Sequence, residues 1–173
     1  RGFLEFAGGQ RIDIVDCVKD PESGDLLHIP AEGTAAPSVG DTVEVNIDWQ
    51  RRHKLMRMHT CLHLLCAVVD GGVTGGSVGE EKSRLDFDLP DTALDKEHIA
   101  AELNRLIAED HGVTIRSIDE AELDANPELV RTMSVQPPRG GGVVRVIEIA
   151  DVDLQPCGGT HFRQTGEIGR VRV

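Results

Sequence analysis

The stretch Lys54 to Val69 contains neither proline nor glycine, is built from good helix formers, and stops just before Gly71-Gly72. A run of this composition ending at a glycine pair predicts a helix of about four turns. It carries His59 and His63, four residues apart and therefore one turn apart on one face, where both imidazoles can reach a single ion. Two histidines at this spacing also occur by chance as surface or core residues, so the pair gains meaning only with a second cluster.

That cluster is Cys157-Gly158-Gly159-Thr160-His161, a thiolate and an imidazole four apart with two glycines that let the backbone turn tightly. Imidazole plus thiolate favours zinc, whereas calcium and magnesium want oxygen ligands. One zinc held by His59, His63, Cys157 and His161 is therefore expected. Cys66 is the competing thiol, because it lies seven residues after His59 on the same helical face. Cys61 projects elsewhere, and both read as small buried hydrophobes. His28, His53, His98 and His111 have no partner at ligand spacing and read as surface or loop residues. Four protein ligands usually make a closed structural site, while a catalytic site keeps a position open. Two routes to catalysis stay open: one ligand, His63 or His161, is loose or acts on the substrate, or the ion expands to five-coordinate.

Around this core, the first fifty residues read as short strands punctuated by Gly8-Gly9, Pro21 to Asp25 and Gly40-Asp41. After glycine-rich Val73 to Gly79, the alternation in Ser83 to Leu89 predicts a strand ended by Pro90. Asp95 is placed to cap a helix whose apolar positions Ile99, Leu103, Leu106 and Ile107 recur until Gly112. Val113 to Ile118 and Val143 to Ile149 read as strands, Asp119 to Asp124 as a short helix, and Gly140-Gly141-Gly142 as a flexible loop. The expected class is α+β: a mainly antiparallel sheet with helices packed on one face, preceded by a small β-rich N-terminal part. The expected domains are 1–50 and a zinc-binding domain, 51–173.

With 39% hydrophobic and 28% charged residues, and no apolar run near the roughly 20 needed to span a bilayer, a membrane helix is excluded. The four cysteines form no Cys-x-x-Cys pair, which fits free thiols in a reducing cytoplasm. The chain opens Arg-Gly-Phe without a Met, so its natural start is expected to be missing. A net charge of -12 argues against sequence-blind binding of nucleic acid. Local basic patches remain, Arg51, Arg52, Lys54 and Arg57 before the histidine pair and Arg163, Arg170 and Arg172 after the last ligand.

In chain order, His-x-x-x-His followed by Leu64-Leu65, then Ser83 to Phe87, Cys-Gly-Gly-Thr-His and Thr165-Gly166-Glu167-Ile168-Gly169 resemble the alanyl-tRNA editing family. That family comprises the editing domain of alanyl-tRNA synthetase and its freestanding relatives. The match runs from about Val43 to the C-terminus. Gly8-Gly9-Gln10 looks like the end of the family's glycine-rich motif, departing from it where Arg11-Ile12 follows directly. The editing domain of threonyl-tRNA synthetase is the nearest alternative, with a different residue before the final histidine of the cysteine motif.

The resemblance implies hydrolysis of serine or glycine wrongly esterified to alanine tRNA, the expected partner, at a zinc site. It places a polar side chain, Thr74 or Ser77, toward the substrate. Arg84 and Asp86 alternate on one strand face, as a support for the site or as a surface ion pair. Glu80-Glu81-Lys82 reads as a solvated turn, and Glu167 either as a brace for the loop bearing the cysteine motif or as an exposed residue. A zinc-stabilised tRNA-binding module without catalysis is the reading from a different functional class.

Overall fold

The computed structural model describes residues 1–34, 37–90, 94–133, 136–137 and 139–173. Two compact units separate, Arg1–Arg52 and His53–Val173.

In the first unit, strands β1 (Gly2–Phe6), β2 (Arg11–Lys19), β3 (Leu26–Pro30) and β4 (Val43–Ile47) form an antiparallel sheet in the order β3-β2-β1-β4. Ile12 and Ile14 are buried while Arg11 and Asp13 face out, the period of two expected of a half-covered strand. A bulge between Ile14 and Asp16 breaks that alternation. Gly8-Gly9-Gln10 makes a tight β1–β2 turn, in which Gly9 takes φ 78° and donates its N–H to the Phe6 carbonyl at 2.9 Å.

The second unit is built around the expected helix. Helix α1 runs Trp49–Val68, starting ahead of Lys54 because the Asp48 carboxylate accepts the Arg51 N–H at 3.0 Å and caps the first turn. A hairpin, β5 (Gly72–Ser77) with β6 (Arg84–Asp88), follows it. Helix α2 (Lys96–Ala108) is capped as expected by Asp95, which accepts the His98 N–H at 2.9 Å, and buries Ile99, Leu103, Leu106 and Ile107. Its charged face pairs Arg105 with Glu102 and Glu109 in solvent, where such pairs are worth little.

Strands β7 (Val113–Asp119), β8 (Val143–Ile149) and β9 (Asp153–Pro156) make an antiparallel sheet in that order. Central β8 is covered on both sides. Ile147 and Ile149 pack with Leu64 and Leu103 of the long helices, while Val144 and Val146 pack with Leu123 of the short helix α3 (Glu120–Ala125). Each such side chain contributes about 1.5–3 kcal/mol. The fold is thus the expected mixture of antiparallel sheets and helices behind a β-rich N-terminal part. In the three-glycine loop the Glu120 carboxylate accepts the Gly140 and Gly142 N–H groups at 2.7 and 3.0 Å. His28 sits on a strand and His53 and His98 on helices, all exposed. Among the described residues no helix is long and apolar enough to cross a membrane.

Candidate metal centre

His59, His63, Cys157 and His161 converge, with their candidate ligand atoms all within 4.8 Å of one another. The Cys157 Sγ lies 3.5 Å from His59 Nε2 and 3.4 Å from His161 Nε2. A tetrahedron built on metal–ligand bonds of about 2.0–2.3 Å has edges of about 3.3–3.8 Å, the range of these two separations, so the group could hold a metal ion. Cys66 and Cys61 are outside the group and buried, and burial pushes both thiols up to about 11.

Helix α1 carries two of these side chains and the loop after β9 carries the others. Along β9, Asp153 and Gln155 are buried whereas Leu154 and Pro156 are less so, and half-buried Cys157 follows directly after the strand. The alternation aims Asp153 at helix α1, where its Oδ2 accepts the His63 Nδ1–H at 3.0 Å and the Gln155 Nε2–H at 2.8 Å. A carboxylate can only accept, so the His63 tautomer is set with its Nε2 lone pair free for a metal. Neither Asp153 nor Gln155 was among the residues read as functional from the sequence. The pattern Asp-x-Gln-x-Cys carried the signal, because a carboxylate in step with a ligand on a buried strand needs a partner.

His161 is held differently. Its Nδ1 lies 3.3 Å from the hydroxyl of buried Thr60, and that hydroxyl also accepts the Phe162 N–H at 3.2 Å. A hydroxyl can donate or accept toward Nδ1, so either His161 tautomer is permitted. The cysteine loop is tied to β8 by Arg145, whose guanidinium donates to the Cys157 carbonyl and whose own carbonyl accepts the Cys157 N–H at 3.2 Å. The Gly159 N–H donates to Cys157 Sγ at 3.3 Å. Downstream, the exposed Glu167 carboxylate accepts the Arg163 and Gln164 N–H groups at 3.0 and 3.2 Å, bracing the turn after the cysteine motif and not the motif's own loop.

The electrostatics follow from this packing. Burial opposes ionisation of the Cys157 thiol, but hydrogen bonds from His161, His59 and His63 override it and bring the thiol down to about 3. Burial likewise disfavours a charged His63, yet its bonds to Asp153 and Cys157 raise it to about 9. His161, buried and facing two other imidazoles, falls to about 4. Without metal near neutral pH, the cluster therefore holds a thiolate beside a protonated His63 and a neutral His161.

Only one of the two loop glycines is dictated by space. A Cβ at Gly159 would overlap the His59 ring, whereas one at Gly158 meets nothing within 4 Å. Gly159→Ala is therefore expected to lose most bound metal after dialysis while Gly158→Ala keeps it. Equal metal content in the two variants would refute the close approach.

The other residues singled out from the sequence lie on the β5–β6 hairpin. Ser77 pairs with Arg84 across it, and the Thr74 hydroxyl donates to the Asp86 carbonyl at 3.1 Å. The Arg84 and Asp86 side chains form an exposed ion pair at 3.2 Å. The hairpin is extended by a third segment, since the Val73 N–H donates to the Arg131 carbonyl and the Met133 N–H to the Val73 carbonyl, both at 2.8 Å. That segment lines a cavity of about 520 Å3 reaching Cys157, whose walls include Arg131, Arg145, Gln155, Pro156 and Gly158. None of Thr74, Ser77, Arg84 and Asp86 is among its lining residues. In the basic stretch of α1, Lys54 pairs with Glu81 at 2.6 Å and Arg57 donates to the Arg170 carbonyl at 2.9 Å.

Fold and site together define a domain in which a helix face and a strand-end loop bring together four side chains that could hold a metal ion. The family model for the threonyl and alanyl tRNA synthetase second additional domain matches residues 144–173. The chain is 32% identical to the alanyl-tRNA editing protein AlaX-M of Methanosarcina acetivorans, over 99% of this chain and 78% of that protein. It is 34% identical to the AlaX-M of Methanosarcina mazei, over 99% of this chain and 76% of that protein. It is also 32% identical to an alanine–tRNA ligase of Picosynechococcus, over the whole chain but only 20% of that enzyme. The chain belongs to the alanyl-tRNA editing protein family.

Proposed function

We propose that this chain is an aminoacyl-tRNA deacylase, a cytoplasmic hydrolase that removes serine, and also glycine, wrongly esterified to alanine tRNA. The observation that carries the reading is the convergence of three imidazoles and one thiolate beside a cavity, in a chain related to alanyl-tRNA editing proteins. The metal we assign is zinc, held by His59, His63, Cys157 and His161, with residues 51–173 as the editing domain and 1–50 as an accessory part. Bound there, zinc supplies Lewis acidity to the ester carbonyl or a clamp for the amino group. Asp153 fixes His63 as a permanent ligand. His161, free to take either tautomer, is the ligand we assign as exchangeable, able to turn an N–H toward the substrate. The test is to follow deacylation of serine-charged and alanine-charged alanine tRNA by the purified protein. The complete four-donor set favours a second reading, a metal-stabilised binding module, and that reading stands if neither substrate is cleaved.

Selectivity is assigned to a hydroxyl match. A site donor or acceptor satisfied by serine and left unpaired by alanine costs about 1–3 kcal/mol, or roughly ten- to a hundredfold in rate. Ser77→Val or Thr74→Val is expected to narrow the serine-to-alanine ratio by that factor without loss of metal. If both variants keep the wild-type ratio, neither residue reads the hydroxyl.

Binding of tRNA by so acidic a chain must run through local cations to phosphates, so affinity is expected to fall steeply with salt. Reversal of Arg51 and Arg52 to Glu should weaken binding at low salt and flatten that salt dependence, with metal content unchanged. Unaltered affinity would make this patch an ordinary solvated surface.

A further inference from the structure

Thr60 lies on helix α1 between His59 and His63 and is fully buried. Its hydroxyl reaches the loop after β9 at two points, accepting the Phe162 N–H at 3.2 Å and lying 3.3 Å from His161 Nδ1. That N–H is buried with the Phe162 side chain, so it needs a protein partner and occupies one lone pair of the Thr60 oxygen. A hydroxyl has one hydrogen and two lone pairs. One hydrogen and one lone pair are therefore left for Nδ1, and the contact can run in either direction. The Asp153 carboxylate has no such freedom, since it only accepts and holds His63 in one tautomer.

The other end of the His161 ring decides which direction is used. Its Nε2 lies 3.4 Å from Cys157 Sγ. Without metal, the thiolate can only accept, so Nε2 carries the hydrogen and Nδ1 takes the Thr60 O–H. A metal at the cluster reverses both bonds, because Nε2 must then offer its lone pair and the hydrogen moves to Nδ1.

We propose that Thr60 is the positioning residue of His161, its hydroxyl donating to Nδ1 when the ring is off the metal and accepting from Nδ1–H when the ring is a ligand. The proposal rests on the reading of the cluster as a zinc centre in which His161 exchanges, and it names the residue that permits the exchange. Water carries one proton between Nδ1 and Nε2, and the ring stays neutral. While Thr60 accepts, its own O–H turns to a carbonyl of the preceding helical turn, the usual partner of a threonine inside a helix. The Phe162 N–H is held in both states, so the ring changes partner without releasing the loop.

Substitution separates the hydroxyl from its packing. Valine copies the branched shape of threonine without the hydroxyl, and serine keeps the hydroxyl without the methyl. The experiment titrates zinc against a competing chelator in wild type, Thr60→Val and Thr60→Ser, and records imidazole nitrogen NMR spectra of each protein with and without zinc. Wild-type His161 is expected to carry its hydrogen on Nε2 without zinc, and on Nδ1, protected from solvent exchange, with zinc. Thr60→Ser should keep this switch and an affinity near wild type. Thr60→Val should lose the protection at His161, keep it at His63, and bind zinc about 10- to 100-fold more weakly, as on loss of an outer partner.

A Thr60→Val protein that keeps both its affinity and the protected His161 hydrogen overturns the proposal. So does a Thr60→Ser protein that falls with Thr60→Val, because the methyl and not the hydroxyl then carries the effect. Should Thr60→Val not fold, wild type still decides, since a His161 hydrogen on the same nitrogen with and without zinc overturns the proposal too. None of these readouts uses tRNA. Deacylation by a wild-type protein whose His161 does not switch removes the role of Thr60 alone, whereas the switch without deacylation removes the deacylase reading and leaves that role.

Discussion

Cys157→Ala is expected to abolish most deacylation and to strip the metal, whereas Cys66→Ala should leave both near wild type. The two thiols are separated by their surroundings. Cys157 faces three imidazoles and is held low, at about 3, so it is a thiolate ready to bind a metal cation at any physiological pH. Cys66 is held high, at about 11, by burial and is an inert thiol. Loss of a direct ligand should cost more than the about 10- to 100-fold in metal affinity that follows loss of an outer partner. The measurement is metal per chain by elemental analysis, together with single-turnover deacylation of serine-charged tRNA. A Cys66→Ala protein that loses metal while Cys157→Ala retains it would reverse the assignment of the thiolate.

Asp153→Asn is expected to weaken metal binding by about 10- to 100-fold and to change its pH dependence. The metal-free site carries an extra proton on His63 below about 9, and that proton must leave before the imidazole can act as a ligand. Metal affinity should therefore rise with pH up to about 9, with about one proton released from His63 per ion near pH 8. Asparagine keeps the shape of the side chain and removes one of the two groups that stabilise the imidazolium, so with only Cys157 left His63 titrates lower and proton release near pH 8 falls. Calorimetry in two buffers of different ionisation enthalpy reads the proton count directly. No proton release in the wild-type protein near pH 8, or the same release in the variant, would show that Asp153 does not control this ligand.

The second expectation depends on Asp153, a residue that motif reading passed over, which marks where the sequence stops being informative. The four ligands were legible because each pair is local: helical spacing sets His59 and His63 on one face, and a short glycine loop confines Cys157 and His161. The capped helix α2 and strand β8 were legible for the same reason, since Asp95, the apolar repeat and the alternation within Val143–Ile149 are short-range signals. The start of α1 was not, because Asp48 works as a cap only through a geometry that the flanking residues do not announce.

By itself, the sequence determined the α+β class, the family and the identity of the four donors that face one another. Tertiary structure alone decided that they meet, with ligand atoms within 4.8 Å, because that depends on how β9 lies against α1. It also decided that Asp153 orients His63 from ninety residues away, that Gly159 yields its space to the His59 ring, and that an arginine-lined cavity opens beside Cys157. Residue types and spacing specify contacts within a turn or along a strand. Which side chains then share a buried volume is set by packing between segments far apart in the chain, and no local pattern encodes it.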